Sequence, residues 1–252
     1  MTEHLQKKAA LVTGASSGIG EATVRALRGD GWTVFAVARR ADRLAALEAT
    51  TGAIAIPADI AEDDDVSRLL AHVTEAGGID TLINIAGGAR GADRVGDAST
   101  DDWEWMYRVN VLGTMKLTRA FLPMLRATGG GTVLNLTSTA GLDAYEGGGG
   151  YNAAKFGQHA LTNALRLEEA EHNVRVIEVA PGLVQTEEFA LNRLGDPQAA
   201  GKVYQGVEKP LTAEDVADVV RYAVTIPHHI NLDQIVIRPV AQAATHKLIR
   251  KG

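Results

Sequence analysis

The chain has 252 residues, of which 46% are hydrophobic, and its formal net charge at pH 7 is −6. That length suits one domain built around one core, and the acidic balance leaves no basic footprint, so we expect no nucleic-acid partner. The absence of cysteine excludes disulfides and thiolate metal ligands, and it is compatible with the cytoplasmic location that we expect. No apolar run reaches the length of a membrane span, and the polar segment MTEHLQKK (1–8) does not resemble a secretory signal, so we expect no membrane partner.

Short β-branched runs alternate with longer helical patterns along the chain. The strand candidates are AALVT (9–13), TVFAVA (33–38), AIAIP (53–57), TLINIA (81–86), TVLNLT (132–137), VRVIEVA (174–180) and QIVIR (234–238). Several of them are apolar throughout, which is typical of strands buried on both faces. We therefore predict one α/β domain over residues 1–252, with a Rossmann-type doubly wound parallel sheet of seven strands and helices on both faces.

Polar residues indicate where several helices begin. Acidic residues at 59–65 precede the periodic run VSRLLAHV, Ser99 and Thr100 precede DDWEWMYRV, and Thr212 precedes AEDVADVV. Acidic side chains in a first turn are stabilised by the positive end of the helix dipole. The run EDDD (62–65) is therefore predicted to be a helix start and not a metal site.

One stretch interrupts the alternation of strands and helices. Residues 183–211 are long and mixed in composition, and they fall between the sixth strand and the next helix. A connection of that kind is usually a lid or a binding loop, so we predict a substrate-binding lid over 183–211. The tail KLIRKG (247–252) is predicted to be a frayed, solvated end.

The first strand is followed by the glycine-rich turn TGASSGIG (13–20), which opens the first helix. Gly14 permits the tight turn, and Gly20 lets the helix pack closely on the strand. Gly18 and Ile19 bring backbone N–H groups toward a phosphate at the helix N-terminus. A tight turn without a ligand is the alternative, but the placement after a strand favours dinucleotide binding. The predicted cofactor-binding residues of the turn are Gly14, Ser16, Ser17, Gly18, Ile19 and Gly20.

The end of the second strand bears on which dinucleotide is bound. NAD sites usually carry a carboxylate here that binds the ribose hydroxyl, whereas this strand ends in Ala38 followed by Arg39 and Arg40. Two cations at the start of a helix oppose its dipole, which suggests that an anion meets them. The 2′-phosphate of NADP(H) fits, because guanidinium binds phosphate as a fork. A solvated basic pair, with Asp42 nearby, is the alternative.

Several short motifs appear in a fixed order. They are TGASSGIG (13–20), NIAG (84–87), Asn110, Ser138, Tyr151 with Lys155, and PG (181–182). In this order they resemble the single-domain branch of the short-chain dehydrogenase/reductase family, over about Lys8 to about Pro239. The segment at 221–239 resembles more narrowly the NADP-dependent 3-hydroxy acid dehydrogenases and the clavulanate dehydrogenase type of aldehyde reductase. One departure is Ile85, where the family usually has a second asparagine.

The spacing of Tyr151 and Lys155 places both side chains on one face of a helix. A phenol has an unperturbed pKa of about 10. A neighbouring ammonium stabilises the phenolate and lowers that pKa, so the pair predicts a tyrosine acid–base catalyst. The resemblance implies that Lys155 also binds the nicotinamide ribose.

The resemblance also implies the rest of the catalytic set. Ser138, thirteen residues before Tyr151, would hold the substrate oxygen, although Thr137 and Thr139 are neighbouring hydroxyls that spacing alone does not exclude. Asn110 would hold a water that links the lysine to solvent. The predicted catalytic residues are Asn110, Ser138, Tyr151 and Lys155.

Further cofactor contacts follow from the same resemblance. Pro181 and Gly182 would turn the chain beneath the nicotinamide, and Val184 would meet its carboxamide. Thr186 would contact the carboxamide or a phosphate. The adenosine end would lie against residues of the third and fourth strand ends. The implied contacts outside the first turn are Arg39, Arg40, Asp59, Ile60, Asn84, Ala86, Gly87, Tyr151, Lys155, Pro181, Gly182, Val184 and Thr186.

Four consecutive glycines, Gly147–Gly150, directly precede Tyr151. One hypothesis is that they leave a void or a mobile flap that admits a bulky carbonyl substrate. The alternative is a loop that needs positive φ angles. Trp103 and Trp105 are predicted to pack at a core edge or a subunit interface rather than bind a ligand, and the resemblance implies a homodimer or homotetramer.

These observations lead to a functional expectation. We expect an NADPH-dependent oxidoreductase (a ketoreductase) that reversibly reduces a ketone or aldehyde to an alcohol. The composition and the narrower resemblance would suit a tailoring reductase of a biosynthetic pathway. The alternatives are an NADP-dependent 3-hydroxy acid dehydrogenase and a catalytically inactive dinucleotide-binding regulator. We expect no metal site, and His228 with His229 is predicted to form a turn after Pro227.

Overall fold

A parallel sheet lies at the centre of the computed structural model, which describes residues 8–251; the polar segment 1–7 and Gly252 lie outside the described residues. Its strands are β1 Ala9–Thr13, β2 Thr33–Ala38, β3 Ile54–Pro57, β4 Thr81–Asn84, β5 Thr132–Leu136, β6 Arg175–Pro181 and β7 Gln234–Ile237. They are ordered β3-β2-β1-β4-β5-β6-β7, and every neighbouring pair is parallel. The predicted doubly wound seven-stranded sheet is confirmed.

Helices cover both faces of this sheet. They are α1 Gly18–Gly29, α2 Ala41–Thr51, α3 Asp63–Glu75, α4 Thr100–Tyr107, α5 Thr114–Ala127, α6 Gly149–Glu169, α7 Phe189–Leu194, α8 Pro197–Tyr204 and α9 Ala213–Thr225. Apolar residues of α1, α2 and α9 form a core on one face, and those of α3, α5 and α6 form a second core on the other. Strands buried between two helical layers need apolar side chains on both faces, which explains their continuous apolar runs.

The strand order places the functional edge of the sheet. β1 pairs with β2 on one side and β4 on the other, so the chain reverses its winding direction between β1 and β4. Ligands of doubly wound sheets bind outside the carboxyl ends of the strands at this switch point. The turn after β1 and the loop after β4 therefore meet at one edge.

The helix starts follow the polar residues that predicted them. Thr212 accepts a hydrogen bond from the backbone N–H of Asp215 at 3.2 Å, and the Asp215 carboxylate accepts one from the Thr212 N–H at 2.9 Å, which is a complete capping box. The hydroxyl of Ser99 caps α4. The acidic run at 62–65 begins α3, as predicted.

Residues 183–211, the predicted lid segment, contact the C-terminal tail. Residues 183–211 contain α7 and α8, and the tail forms two short antiparallel strands, β8 Gln242–Ala244 and β9 Lys247–Leu248. The prediction of a frayed tail is wrong, because the Arg250 guanidinium donates to three backbone carbonyls at the end of α8, those of Lys202, Val203 and Gln205. Within residues 8–251, none of the helices combines the length and the apolar character that crossing a bilayer demands.

Candidate active site

A large cleft opens at the carboxyl ends of β1, β4, β5 and β6. Its volume is about 1000 Å³. The predicted catalytic residues Ser138, Tyr151 and Lys155 line it, together with the turn after β1. The other predicted residues that line it are Gly14, Ser16, Ser17, Gly18, Ile19, Gly20, Arg39, Arg40, Asp59, Ile60, Ala86, Gly87, Pro181, Gly182, Val184 and Thr186.

The turn after β1 is shaped by close backbone approach. Gly14 has φ +69°, and a Cβ added there would lie 3.0 Å from the Ala86 nitrogen. A Cβ at Gly20 would overlap the carbonyl oxygen of Gly14, so only glycine lets α1 start this close to the turn. The Thr13 hydroxyl accepts hydrogen bonds from the backbone nitrogens of Ile85 at 2.9 Å and Ala86 at 3.0 Å, which joins the turn to the loop after β4.

Arg40 reaches back from the end of β2 to this turn. Its guanidinium donates to the hydroxyl of Ser16 at 2.9 and 3.2 Å and to that of Ser17 at 2.9 Å. It also forms an ion pair with Glu188 of the lid segment, at 2.6 Å. Arg39 lies exposed at the rim of the same cleft. Of the predicted basic pair, Arg40 is therefore held by hydrogen bonds, whereas Arg39 faces solvent.

Asn84 differs from its predicted placement. Its side chain is 1% exposed and donates to the Asn135 oxygen at 2.8 Å and the Thr118 hydroxyl at 3.2 Å. It packs among the strands and helices beneath the cleft, and the cleft is lined instead by Ile85, Ala86 and Gly87. The Asn84 side chain therefore does not line the cleft, because it faces a polar cluster inside the core, and the approach of this residue to the adenosine ribose stays a prediction.

Tyr151 and Lys155 lie on the first two turns of α6 and point toward the same cleft. The Lys155 ammonium is 5.8 Å from the centre of the Tyr151 ring. Ser138 lies two residues after the end of β5, and its hydrogen bond to Tyr151 lowers the pKa of the tyrosine. The three predicted groups are brought together at one point.

The electrostatics of this cluster differ from the sequence-based prediction. Burial raises the pKa of Tyr151 above its usual range, with a contribution from Tyr145 in the same direction. The hydrogen bond from Ser138 and the charge of Arg193 lower that pKa but do not outweigh burial. Lys155 is not among the groups that lower it; burial lowers the pKa of Lys155 itself to about 7. Within the protein, desolvation thus outweighs the expected ammonium–phenolate attraction.

A chain of hydrogen bonds connects Lys155 to Asn110. The ammonium donates to the Gln158 side-chain oxygen at 2.7 Å, the Gln158 amide donates to the Thr114 hydroxyl at 3.2 Å, and that hydroxyl donates to the Asn110 carbonyl at 2.8 Å. Gln158, Thr114 and Asn110 are fully buried. Sequence reasoning did not identify Gln158 or Thr114, although Gln158 lies three residues past Lys155 on the same helix.

Asn110 holds its position through a distorted turn. Residues 108–113 form a π-helical turn between α4 and α5, a distortion that often accompanies functional sites. The Asn110 side chain donates to the Gly88 carbonyl at 2.9 Å and the Met106 carbonyl at 2.7 Å, and accepts from the Gly88 N–H at 3.2 Å. Asn110 thereby fixes the loop after β4. Its backbone carbonyl is joined to Lys155 through the side chains of Thr114 and Gln158, and the water held by Asn110 stays a prediction.

The glycine run before Tyr151 is closely packed. A Cβ at Gly147 would lie 2.6 Å from the Ala92 carbonyl oxygen, one at Gly148 2.5 Å from the Tyr145 ring, and one at Gly150 2.5 Å from the Met106 methyl group. Gly149 faces Trp103, and of the four only Gly147 has a positive φ. The hypothesis that these glycines leave a void beside Tyr151 is wrong, because neighbouring side chains and backbone fill the space. The alternative of a mobile flap stays a prediction.

The two tryptophans of α4 occupy different environments. Trp103 packs on the glycine run, as predicted for a core edge. Trp105 lines the cleft, with the Arg90 guanidinium 4.0 Å from its ring centre. Residues two apart on a helix lie on nearly opposite faces, so the two tryptophans face different surroundings.

The lid segment supplies cleft residues that sequence reasoning missed. The ring of Phe189 lies edge-on to that of Tyr151, with centroids 5.8 Å apart. Arg193 lies 5.9 Å from the Tyr151 ring centre and donates to the Tyr145 hydroxyl at 2.9 Å and to the carbonyls of Gly91 and Gly147 at 3.1 Å. These contacts join segments far apart in the chain, and no local pattern predicts them.

His159, His228 and His229 make structural contacts. His159 pairs with the fully buried Glu178 at 2.8 Å, and Glu178 also accepts a hydrogen bond from Thr137 at 2.6 Å. His228 and His229 form the predicted turn, which the Ile230 N–H closes onto the Pro227 carbonyl at 3.0 Å.

The geometry can now be compared with known proteins. The family model described as short chain dehydrogenase matches residues 8–194. The chain belongs to the short-chain dehydrogenase/reductase family. An uncharacterized oxidoreductase of Mycobacterium tuberculosis is 49% identical over 243 residues, covering 96% of this chain and 95% of that protein. The NADP-dependent 3-hydroxy acid dehydrogenase of Schizosaccharomyces pombe is 35% identical over 258 residues, covering 98% of each protein.

A solved structure agrees over nearly the whole chain. The closed form of a serine dehydrogenase complexed with NADP⁺ superposes with a TM-score of 0.91 at 35% identity, covering 97% of this chain and all of that chain. The protein is thus an oxidoreductase of the short-chain dehydrogenase/reductase family, which uses a nicotinamide dinucleotide.

The residues of the cleft fit such a cofactor. Gly14 and Gly20 let the turn after β1 pack closely against backbone at the N-terminus of α1, where backbone N–H groups suit a pyrophosphate. A Cβ at Gly87 would lie 2.5 Å from the Asn110 side-chain oxygen, so the loop after β4 has no room for a side chain at this position. Arg40 supplies a cation at the end of β2, where the adenosine ribose is recognised in this fold.

Proposed function

We propose that this protein is an NADPH-dependent reductase of a ketone or aldehyde that also catalyses the reverse oxidation of the alcohol. The observation that carries the proposal is the convergence of Ser138, Tyr151 and Lys155 at one point of the cleft. Two further observations support NADP(H) over NAD(H). Arg40 is the organised cation at the end of β2, and the names of a relative and of a matching structure both include NADP.

The bound nicotinamide would supply hydride to the carbonyl carbon, and the residues of the chain would bind and protonate the carbonyl oxygen. The Ser138 hydroxyl donates a hydrogen bond to the carbonyl oxygen, which stabilises charge as it develops. The Tyr151 hydroxyl then gives its proton to that oxygen. Because burial raises the pKa of Tyr151, the phenol is protonated at neutral pH and is ready to act as the acid in the reductive direction.

Lys155 would act on the phenol from below. As an ammonium it would orient the nicotinamide ribose and stabilise the phenolate left by proton transfer. Its bond to Gln158, and the onward bonds to Thr114 and Asn110, hold the ammonium in one orientation. Phe189 lies against the tyrosine ring and excludes water from it.

The test is to follow oxidation of NADPH by the purified protein with a panel of ketones and aldehydes of increasing size. We expect turnover with at least one class, and a kcat/KM for NADPH at least tenfold above that for NADH. Binding of NADPH without turnover of any carbonyl would favour the inactive regulator instead. Equal kcat/KM values for the two cofactors would contradict the proposed NADP preference.

A second candidate substrate class is a small 3-hydroxy acid. The observation that favours it is Arg193, whose guanidinium lies beside Tyr151 and forms no ion pair with a carboxylate among residues 8–251. Its hydrogen bonds go to two carbonyls and a phenol, which leaves N–H groups available for a substrate carboxylate. The names of the relatives above, which include a 3-hydroxy acid dehydrogenase and a serine dehydrogenase, support the same class.

The two substrate classes can be separated by changing the substrate alone. We compare NADP⁺ reduction with a 3-hydroxy acid and with its methyl ester, which has the same carbon skeleton without the charge. A kcat/KM at least tenfold higher for the acid would support the 3-hydroxy acid. A preference for the ester would favour uncharged alcohols and their ketones.

We further propose that the protein forms a homodimer or homotetramer. Large apolar side chains remain exposed on neighbouring helices, with Tyr107 of α4 49%, Phe156 of α6 42% and Leu167 of α6 84% exposed. Exposed apolar residues that cluster are typical of protein interfaces. Light scattering coupled to size-exclusion chromatography would give the mass in solution, and a mass of one chain would contradict this proposal.

A further inference from the structure

A carboxylate of the lid segment occupies the position proposed for the cofactor's 2′-phosphate. Glu188 accepts from Arg40 at 2.6 Å through one oxygen and from the Ser17 hydroxyl at 3.0 Å through the other. Arg40 also donates to Ser16, so these four side chains form one cluster at the start of α1. The Glu188 side chain is 20% exposed. The Arg43 guanidinium lies 3.9 Å from the Glu188 oxygen that accepts from Arg40.

The donors that hold Glu188 are the donors that a phosphomonoester would use. A guanidinium fork and adjacent hydroxyls are typical of phosphate recognition, and they bind a carboxylate in the same way. A carboxylate and a phosphate dianion repel each other, so both cannot occupy this cluster at hydrogen-bonding distance. Binding of a 2′-phosphate to Arg40 therefore requires Glu188 to leave.

The position of Glu188 connects this cluster to the catalytic end of the cleft. Glu188 immediately precedes α7, and Phe189, the first residue of that helix, packs against Tyr151. The last turn of α7 is held separately, through Arg193 on the carbonyls of Gly91 and Gly147. One end of the short helix is thus held by the cluster around Arg40. The other end is held by the loops that carry Gly91 and Gly147, which we call the substrate loops.

We propose that Glu188 is an internal substitute for the 2′-phosphate, which NADP(H) must displace, and that its displacement releases the first turn of α7 from the cofactor cleft. This inference rests on the proposed NADP preference. Glu188 opposes the binding of NADP(H) but not of NAD(H), because only the phosphorylated cofactor competes with it. The cofactor's own 2′-phosphate would then control where Phe189 lies relative to Tyr151.

The first test measures binding of two nucleotides that differ only in the 2′-phosphate, 2′,5′-ADP and 5′-AMP. In Glu188→Gln we expect 2′,5′-ADP to bind about three- to tenfold more tightly than in the wild type, because an ion pair of this kind contributes about 1 kcal/mol. The affinity for 5′-AMP should change less than twofold. The matched control is Glu187→Gln, whose side chain is 71% exposed and lies 3.9 Å from Arg43, and which should change neither affinity by more than about twofold.

Two results would overturn the inference. One is weaker binding of 2′,5′-ADP by Glu188→Gln, which would make the carboxylate part of the cofactor site. The other is an equal change for both nucleotides, which would indicate a general effect on the fold. Failure of the underlying NADP proposal is recognised separately, since the wild type would then bind 5′-AMP as tightly as 2′,5′-ADP.

The second test observes the lid segment directly. Amide hydrogen exchange of residues 189–194 should become faster in the wild type on addition of 2′,5′-ADP and remain unchanged with 5′-AMP. In Glu188→Gln the exchange should already be fast without nucleotide. Slower exchange with 2′,5′-ADP in the wild type would contradict release of the helix.

Discussion

The turn after β1 and the lid segment face each other across one cleft, but different interactions hold them. The turn is fixed by backbone against backbone, with Gly14 against Ala86 and Gly20 against Gly14. The lid is held by charged side chains that reach across the cleft, chiefly Arg40 to Glu188 and Arg193 to the substrate loops. Backbone packing specifies one geometry, whereas ion pairs with partly exposed partners can exchange for a ligand. The difference assigns cofactor placement to the turn and adjustment to the lid.

The largest expected effect comes from removing the hydroxyl of Tyr151. Tyr151→Phe removes the proton donor while keeping the ring against Phe189, so kcat should fall by about a thousandfold or more. Thermal unfolding should change by no more than a few degrees. The control is Tyr222→Phe, at a 62% exposed position of α9, which should keep full activity. Retained activity in Tyr151→Phe would end the proposed mechanism.

The next prediction breaks the backbone packing of the turn. Gly20→Ala places a methyl group on the Gly14 carbonyl oxygen, which we expect to lower the free energy of unfolding by about 1–3 kcal/mol and to abolish tight nucleotide binding. The matched control is Gly29→Ala in the same helix, where a Cβ meets nothing within 4 Å. There a gain of up to about 1 kcal/mol is expected, because alanine favours the helix. Urea unfolding curves of both variants measure the difference, and equal effects would contradict the packing argument.

A third prediction concerns the buried ammonium beneath Tyr151. Burial lowers the pKa of Lys155 to about 7, so between pH 7 and about 10.5 the unfolded chain binds a proton that the folded chain does not. Stability contributed by this group therefore rises with pH over that window, and the cost of burying the charge is fully present below pH 7. Lys155→Met should relieve that cost, stabilising the nucleotide-free protein more at pH 6 than at pH 9, with a difference of about 2 kcal/mol. A pH-independent change would contradict the lowered pKa.

A smaller effect is expected when the lid loses its contact at the substrate end. Arg193→Gln removes the charge and most of the bonds to the substrate loops, so KM for the carbonyl substrate should rise by about tenfold. The dissociation constant for 2′,5′-ADP should change less than twofold, since that nucleotide binds at the opposite end. Arg94→Gln, with an 80% exposed side chain, is the control. An equal loss of affinity for nucleotide and substrate would show that the two ends of the lid are not independent.

The same contrast explains how much could be predicted from the sequence. The strands, the turn at 13–20 and the pair of Tyr151 and Lys155 were predictable, because apolar runs, glycine spacing and helical periodicity are local patterns, whereas Ser138 followed from the family resemblance. Parallel strands bring their carboxyl ends to one edge, so the order of motifs also predicted which residues meet.

The failures concern contacts between distant segments. Glu188 lies 148 residues from Arg40, and no pattern within either segment indicates the pair. Asn84 was assigned to the cofactor site through the family resemblance of NIAG (84–87), but its side chain bonds to Asn135 inside the core. The glycine run has an ambiguous composition, since glycine permits both open space and close approach. Only the positions of the neighbouring side chains decide between the two.

The C-terminal hairpin and the residues that follow it contact the lid segment beside the cleft. Gln242 accepts a hydrogen bond from the Leu183 N–H at 2.7 Å, where the lid begins, and Arg250 holds the far end of α8. Two restraints on the lid segment thus come from residues far along the chain from Ser138, Tyr151 and Lys155. Relatives could diversify in the compounds they accept by altering this hairpin alone, with the reaction machinery left intact.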